Sequence, residues 1–208
     1  MNVLAIGAHF DDVELGCGGS LARHIANNDT VYIYVATDSA YGTYGGNEIR
    51  SGETARREGQ RSAGLLGAHL ICGTQSTFML AFNEETDAAI VKIVEEKKID
   101  CVYIHWSGDV HHDHFHLAKA AMHATRHIPR VLMYRSNWYV SDEAFRTDFY
   151  VDISETWEMK KRMIMCHESE CSRVGNTWID YFDREALNNG LKVGVERAEG
   201  FQTVKWLI

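Results

Sequence analysis

Two aspartates stand side by side in the stretch "AIGAHFDDVELGCGGSLARH", two residues after a histidine and at the point where an apolar run ends. Adjacent carboxylates repel, and burying them costs free energy unless a cation compensates. A second polar cluster, "GDVHHDHFH" at residues 108–116, offers imidazoles and further carboxylate. Imidazole and carboxylate together suit zinc, and a catalytic zinc keeps three protein ligands with one position for water or substrate. His9, Asp12 and His114 would form such a set, which leaves Asp11 to take a proton from water. Zinc lowers the pKa of its water from about 15.7 towards about 7, and a carboxylate base nearby completes the activation. One aspartate is thus expected to serve the metal and the other the proton. The competing reading makes His9, Asp11 and Asp12 a turn that caps the following helix, but a cap does not explain His114.

His111 precedes the expected helix and is read as a proton donor or oxyanion stabiliser, oriented by Asp113. A neighbouring carboxylate would raise its pKa, as suits a general acid. With a helix beginning near Asp113, His114, Leu117, Ala118, Ala121 and Met122 share one face. His112 and His116 are read as flanking residues, and His24, His69, His105, His123 and His127 as surface or satisfied core histidines.

The elements that must position these groups follow from hydrophobic pattern. "VLAIGAH", "VYIYVATDS", "HLICGT", "CVYIHWS" and "RVLMYRS" are rich in Val, Ile and Tyr and end in polar residues or glycine, as buried strands do. Helical patterns at 19–28, 52–66 and 86–98 lie between them, and Pro129 is expected to help end the helix before "RVLMYRS". Alternation of this kind predicts an α/β fold: a Rossmann-like, mostly parallel sheet with helices on both faces, one domain over residues 1–208. Ligands of such sheets bind beyond the carboxyl ends of the strands, where both clusters emerge.

Composition narrows the partner. The chain has 208 residues, 45% hydrophobic and 24% charged, with a net charge of −8 and no Lys/Arg-rich run, which argues against nucleic acid and for a small molecule. The N-terminus lacks a basic region and its apolar run is short, so neither a signal peptide nor a membrane span is expected, and the cytoplasm is the expected location. Five cysteines without a CxxC pair are read as reduced thiols.

With "AHFDDVELGCGGSLA" and "HHDH", the sequence resembles the PIG-L/LmbE-like metal-dependent N-deacetylases, whose signatures read AHPDDE and HPDH. "RREGQRSAGLLGA", "VDISETWEMKKRMIMCHESE" and "ERAEGF" resemble, in order, that family's charged helix, its "DI…K…H.SQ" segment and its late "AE.F" element. The resemblance implies His9, Asp12 and His114 as metal ligands, Asp11 as general base, and His111 with Asp113 as the pair that handles the tetrahedral intermediate. It implies Zn2+, with another divalent ion such as Fe2+ as the alternative in cells, and hydrolysis of the acetamide of an N-acetylated amino sugar. It leaves a homo-oligomer open. Phe10 and His112 replace the signature prolines, Ala55 falls where an arginine is common when Glu58 is aligned, and Glu170 stands where glutamine is common.

The loop "YGTYGGNEIRSGETARRE" suits a sugar, since Tyr44, Asn47 and Arg56 could stack on it and hydrogen-bond it; the alternative is an ordinary loop. Glu14 is read as either a substrate contact or a hydrogen-bond acceptor behind the ligands. The glycines of "LGCGGSL" are read as a close-packed turn. Two rival functions stand beside the deacetylase: a metal-dependent amidase on a non-sugar amide, and a non-catalytic Rossmann-like metabolite-binding module.

Overall fold

The structure, a computed structural model, describes residues 1–208. Its main sheet has seven strands in the order β5-β2-β1-β6-β7-β9-β8. The parallel part comprises β1 (Asn2–Gly7), β2 (Thr30–Thr37), β5 (His69–Gln75), β6 (Cys101–His105) and β7 (Arg130–Tyr134), while β9 (Ala198–Trp206) and β8 (Phe149–Asp152) add antiparallel at one edge. A short hairpin, β3 (Tyr41–Gly42) with β4 (Glu48–Arg50), stands apart. The expected mostly parallel α/β sheet is therefore present.

The pleat of β1 explains the two-sided core. Val3 and Ala5 face one cluster of 19 buried residues, and Leu4 and Ile6 face another of the same size. Helices α1 (Asp12–Ala26), α2 (Gly52–Leu66) and α5 (Trp157–Met165) contribute to the first; α3 (Glu84–Lys97) and α4 (His112–Ala124) contribute to the second. Strands buried on both faces read as continuous apolar runs. Two further helices, α6 (Glu168–Val174) and α7 (Thr177–Val193), follow α5.

Chain order reverses between β1 and β6, so a crevice opens at their carboxyl ends. Helix α1 begins at Asp12, earlier than the pattern at 19–28 suggests, and "LGCGGSL" lies inside it rather than in a turn. Close packing explains this: a Cβ on Gly16 would come within 2.0 Å of the Tyr134 ring, and one on Gly19 within 2.9 Å of Ile153. Glycine lets the helix lie against β7 and the segment before α5 without displacement, at some cost in helix propensity. Pro129 does not terminate a helix, because α4 ends at Ala124 and the proline directly precedes β7.

Candidate active site

Helix α1 starts where β1 ends, and that junction is strained. Asp11, the residue before the helix, has φ of 137°, a conformation a non-glycine residue holds only when its surroundings impose it. Ser39 and Phe78 also have positive φ, at 56° and 66°. All three line one cavity of about 310 Å³ at the crevice. The turn separates the two aspartates, as the division of roles requires. Asp12 is buried and accepts from the His9 backbone N–H at 2.7 Å and from Ser136 Oγ at 2.8 Å. Asp11 instead meets Arg50.

Helix α4 delivers the second cluster from the neighbouring strand. Nε2 of His114 lies 3.1 Å from Asp12 Oδ1 and 3.3 Å from His9 Nδ1, and His9 Nδ1 lies 3.3 Å from Asp12 Oδ2. Donor groups of three residues, of the types zinc prefers, thus converge from two distant segments, His114 facing one carboxylate oxygen of Asp12 and His9 the other. The far nitrogens are held by carboxylates: His9 Nε2 meets Asp113 Oδ2 at 2.9 Å, and His114 Nδ1 meets Asp109 Oδ2 at 2.9 Å. A carboxylate behind each imidazole is the usual support for a metal-ligating histidine. Although burial opposes charging these rings, Asp113 and Asp12 hold His9 up at about 9, and Asp12 and Asp109 hold His114 up at about 10. Burial likewise penalises Asp12 as an anion, yet His114 and His105 hold it well below the usual carboxylate range. The site is built for positive charge between its donors.

Two expectations are corrected here. Asp113 does not orient His111; it is fully buried, contacts His9 and accepts the backbone N–H of Phe78 at 2.7 Å. His111 consequently lacks a raised pKa. Burial and the neighbouring His114 and His9 push it down to about 4, so it is neutral near pH 7. Its ring stacks on His114 and on Phe78, with centroids 4.4 and 5.7 Å apart. Its Nδ1 has no hydrogen-bond partner.

His105 is more than a satisfied core residue. At the end of β6 its Nε2 lies 3.2 Å from Asp12 Oδ2, and its ring stacks on His114 at 4.1 Å. It gives a second grouping, Asp12–His105–His114, beside His9–His111–His114. The Ala8 N–H donates to that same Nε2 at 3.1 Å, burial pushes the ring down to about 4, and Nδ1 is unpartnered. Because that Nε2 already accepts from the Ala8 backbone, His105 is less available to a metal than its position alone suggests. A histidine at the carboxyl end of a buried strand, next to the switch point, was the signal for its place in the site.

The substrate contacts expected from the loop also shift. Tyr44 and Asn47 are exposed on the β3–β4 turn and Arg56 on the outer face of α2; none lines the cavity. Tyr41 and Arg50, from the same stretch, do. Arg50 is 3% exposed and donates to Phe10 O and Asp11 Oδ2, both at 3.1 Å, and to Glu58 Oε2 at 3.0 Å. It supplies, from β4, a guanidinium beside Glu58 where Ala55 cannot. Burial still outweighs Arg50 at Asp11, whose pKa is raised to about 6. Glu14 points away from the cavity and is buried against Ser62 Oγ at 2.6 Å and His167 Nε2 at 3.2 Å. Asp109, Arg50 and Ser136 were not singled out from sequence, because partners so distant along the chain leave no local pattern.

Residues 4–125 match the PIG-L family, described as GlcNAc-PI de-N-acetylase. The chain is 37% identical over 146 residues to the uncharacterized deacetylase YaiS of Escherichia coli K12, covering 65% of this chain and 75% of that protein. It is 27% identical over 223 residues to diacetylchitobiose deacetylase of Thermococcus kodakarensis, covering 97% and 82%. Among solved structures, N,N'-diacetylchitobiose deacetylase of Pyrococcus horikoshii superposes with a TM-score of 0.82 at 23% identity, over 98% of this chain and 83% of that one. GalB, the 4-carboxy-2-hydroxymuconate hydratase of Pseudomonas putida KT2440, also superposes at 0.82, with 17% identity over 100% and 97%. The architecture therefore hosts more than one chemistry. With the family matched over more than half its length and its two signature clusters meeting at one crevice, the chain belongs to the PIG-L family.

Proposed function

We propose that this protein is a zinc-dependent N-deacetylase that releases acetate from an N-acetylated amino sugar and leaves a free amine. The observation that carries the reading is the convergence of His9 Nδ1, Asp12 and His114 Nε2 within 3.3 Å beside a separate carboxylate, Asp11, on the cavity wall. The deacetylase relatives support the reaction class. When bound, the ion would polarise the acetamide carbonyl and acidify a water. Asp11, steadied by Arg50, accepts a proton from the attacking water and returns it to the departing amine nitrogen, so that protons balance. His111, neutral and on the cavity wall, serves as a hydrogen-bond donor to the amide oxygen as negative charge develops there. Asp113 and Asp109 fix the rings of His9 and His114.

Mass spectrometry and acetate assay on N-acetylated sugars incubated with the zinc-loaded protein test this reading. Loss of one acetyl group, abolished by a chelator and restored by zinc, is the expected result. Turnover that survives chelation contradicts the metal mechanism. Hydrolysis of simple amides but of no sugar would leave the rival amidase in its place.

A further inference from the structure

The cavity's two arginines are paired with carboxylates before any substrate arrives. Its lining contains two arginines and no lysine. Arg50 is committed to Asp11 and Glu58. Arg173 directs Nε and one terminal nitrogen at Glu170 Oε2, at 3.1 and 2.5 Å, and Tyr41 donates its hydroxyl to the other oxygen of the same carboxylate at 2.5 Å. Glu170 is only 3% exposed and is close enough to Arg50 to reinforce that residue's charge. A phosphate or carboxylate on an incoming substrate that approached Arg173 would lie beside the Glu170 carboxylate already paired with it, a juxtaposition of like charges that is disfavoured.

The lining also carries aromatic side chains beside its polar groups. Phe78, Trp138, Tyr139 and Trp178 all reach the cavity, and Phe78, Trp138 and Tyr139 remain partly open to solvent. Phe78 holds a positive φ, rare for a bulky side chain, while its ring stacks on His111 and its N–H is anchored on Asp113. An apolar surface is thereby fixed beside the reacting end of the site, as in pockets that bind by aromatic contact with a few oriented polar groups.

We infer that the cavity selects an uncharged glycoside: an N-acetylated amino sugar whose attached group is neutral and lies against Phe78 and Trp138, with phosphorylated and nucleotide-linked sugars rejected through Glu170. This rests on the deacetylase reading above and narrows its substrate. It assigns Glu170 a role in specificity rather than in the reaction.

The test measures acetate release by the zinc-loaded full chain from p-nitrophenyl and methyl N-acetyl-β-glucosaminide, against N-acetylglucosamine 1-phosphate and UDP-N-acetylglucosamine. The uncharged glycosides should exceed the anionic ones by about 10-fold or more in kcat/KM, the size of effect one misplaced charge produces. In Glu170→Gln the anionic substrates should gain several-fold through the released Arg173, as one charge removed predicts, while the neutral ones do not gain. Phe78→Gly, which keeps the positive φ and removes the ring, should raise KM for the p-nitrophenyl glycoside more than it lowers kcat. Equal or better turnover of the anionic substrates by the parent protein overturns the inference, as does a Glu170→Gln variant with an unchanged ratio. If no sugar is deacetylated, the deacetylase reading fails, and calorimetric binding then decides the inference separately. Tighter binding of the p-nitrophenyl glycoside sustains it; tighter binding of the nucleotide sugar, or binding of neither, overturns it.

Discussion

Helix α1 carries two buried clusters of charge, and they differ in kind. On its body, Glu199 accepts from the backbone N–H groups of Gly19 and Ser20 at 3.0 and 2.7 Å and from Ser20 Oγ at 2.5 Å, while Lys160 Nζ reaches Glu199 at 2.6 Å and Leu15 O at 2.7 Å. The pair is 2% and 5% exposed and ties α1 to α5 and β9. Donors and acceptors there satisfy one another. At the N-terminal end of the same helix, Asp11, Asp12, His9 and His114 crowd around a strained turn; His105 Nδ1 and His111 Nδ1 are buried without partners, and the cluster opens on a cavity. A closed, satisfied network joins elements together, whereas an under-satisfied one facing a cavity is organised around a ligand.

Breaking the closed network should cost the most stability. Glu199→Ala leaves Lys160 buried and unpaired, and we expect a loss of about 3–5 kcal/mol, read by denaturant unfolding. Zinc affinity of the fraction that remains folded should be little changed. A negligible stability loss would show that the two clusters are not different in kind.

The open cluster should respond in the opposite sense. Asp11→Asn should lower turnover by about 10²–10⁴-fold, the range for a positioned general base, with melting temperature and zinc content close to the parent's. An enzyme with near-parent turnover after this change takes its base from elsewhere. Arg50→Met should lower turnover and also destabilise, because Asp11 and Glu58 share that guanidinium.

Smaller effects sharpen the comparison at the ring supports. Asp109→Asn and Asp113→Asn should each weaken zinc binding by about 10- to 100-fold while the ligands stay in place. In the pH profile, Asp11 must be ionised to act. Its raised value predicts that kcat/KM falls as pH drops through about 6 and is fully developed above it. A profile flat down to pH 4.5 would exclude Asp11 as the group that titrates. No basic limb should come from His111, since the neutral ring is already the dominant form above about 4.

Much of this was legible from residue pattern. The β1, β2, β6 and β7 strands stand out because burial on both faces makes them continuous apolar runs, and α2 matches its pattern from Gly52 to Leu66 because Ser51 caps it and Gly67 ends it in the left-handed conformation. His9, Asp11, Asp12, His111 and His114 meet at one crevice because parallel topology delivers adjacent strand ends to the same rim. What failed to show was tertiary. Glycines that signal a turn locally are required inside α1 by Tyr134 and Ile153, and Asp113's choice of His9 over its near neighbour His111 depends on the crossing of two strand ends. The hairpin register, which turns Tyr41 and Arg50 inward and leaves Tyr44 and Asn47 in solvent, is set by pairing of Tyr41 with Arg50 rather than by residue type.

The central claim is that His9, Asp12 and His114 hold one divalent ion, and a calorimetric zinc titration near pH 7 tests it most directly. His9 and His114 are held up at about 9 and 10 in the metal-free site, so zinc must displace their protons. The account predicts one ion per chain, protons released to the buffer on binding, and loss of most affinity in His9→Ala but far less in His105→Ala. Zinc bound by His9→Ala as tightly as by the parent, with no proton released, would contradict it.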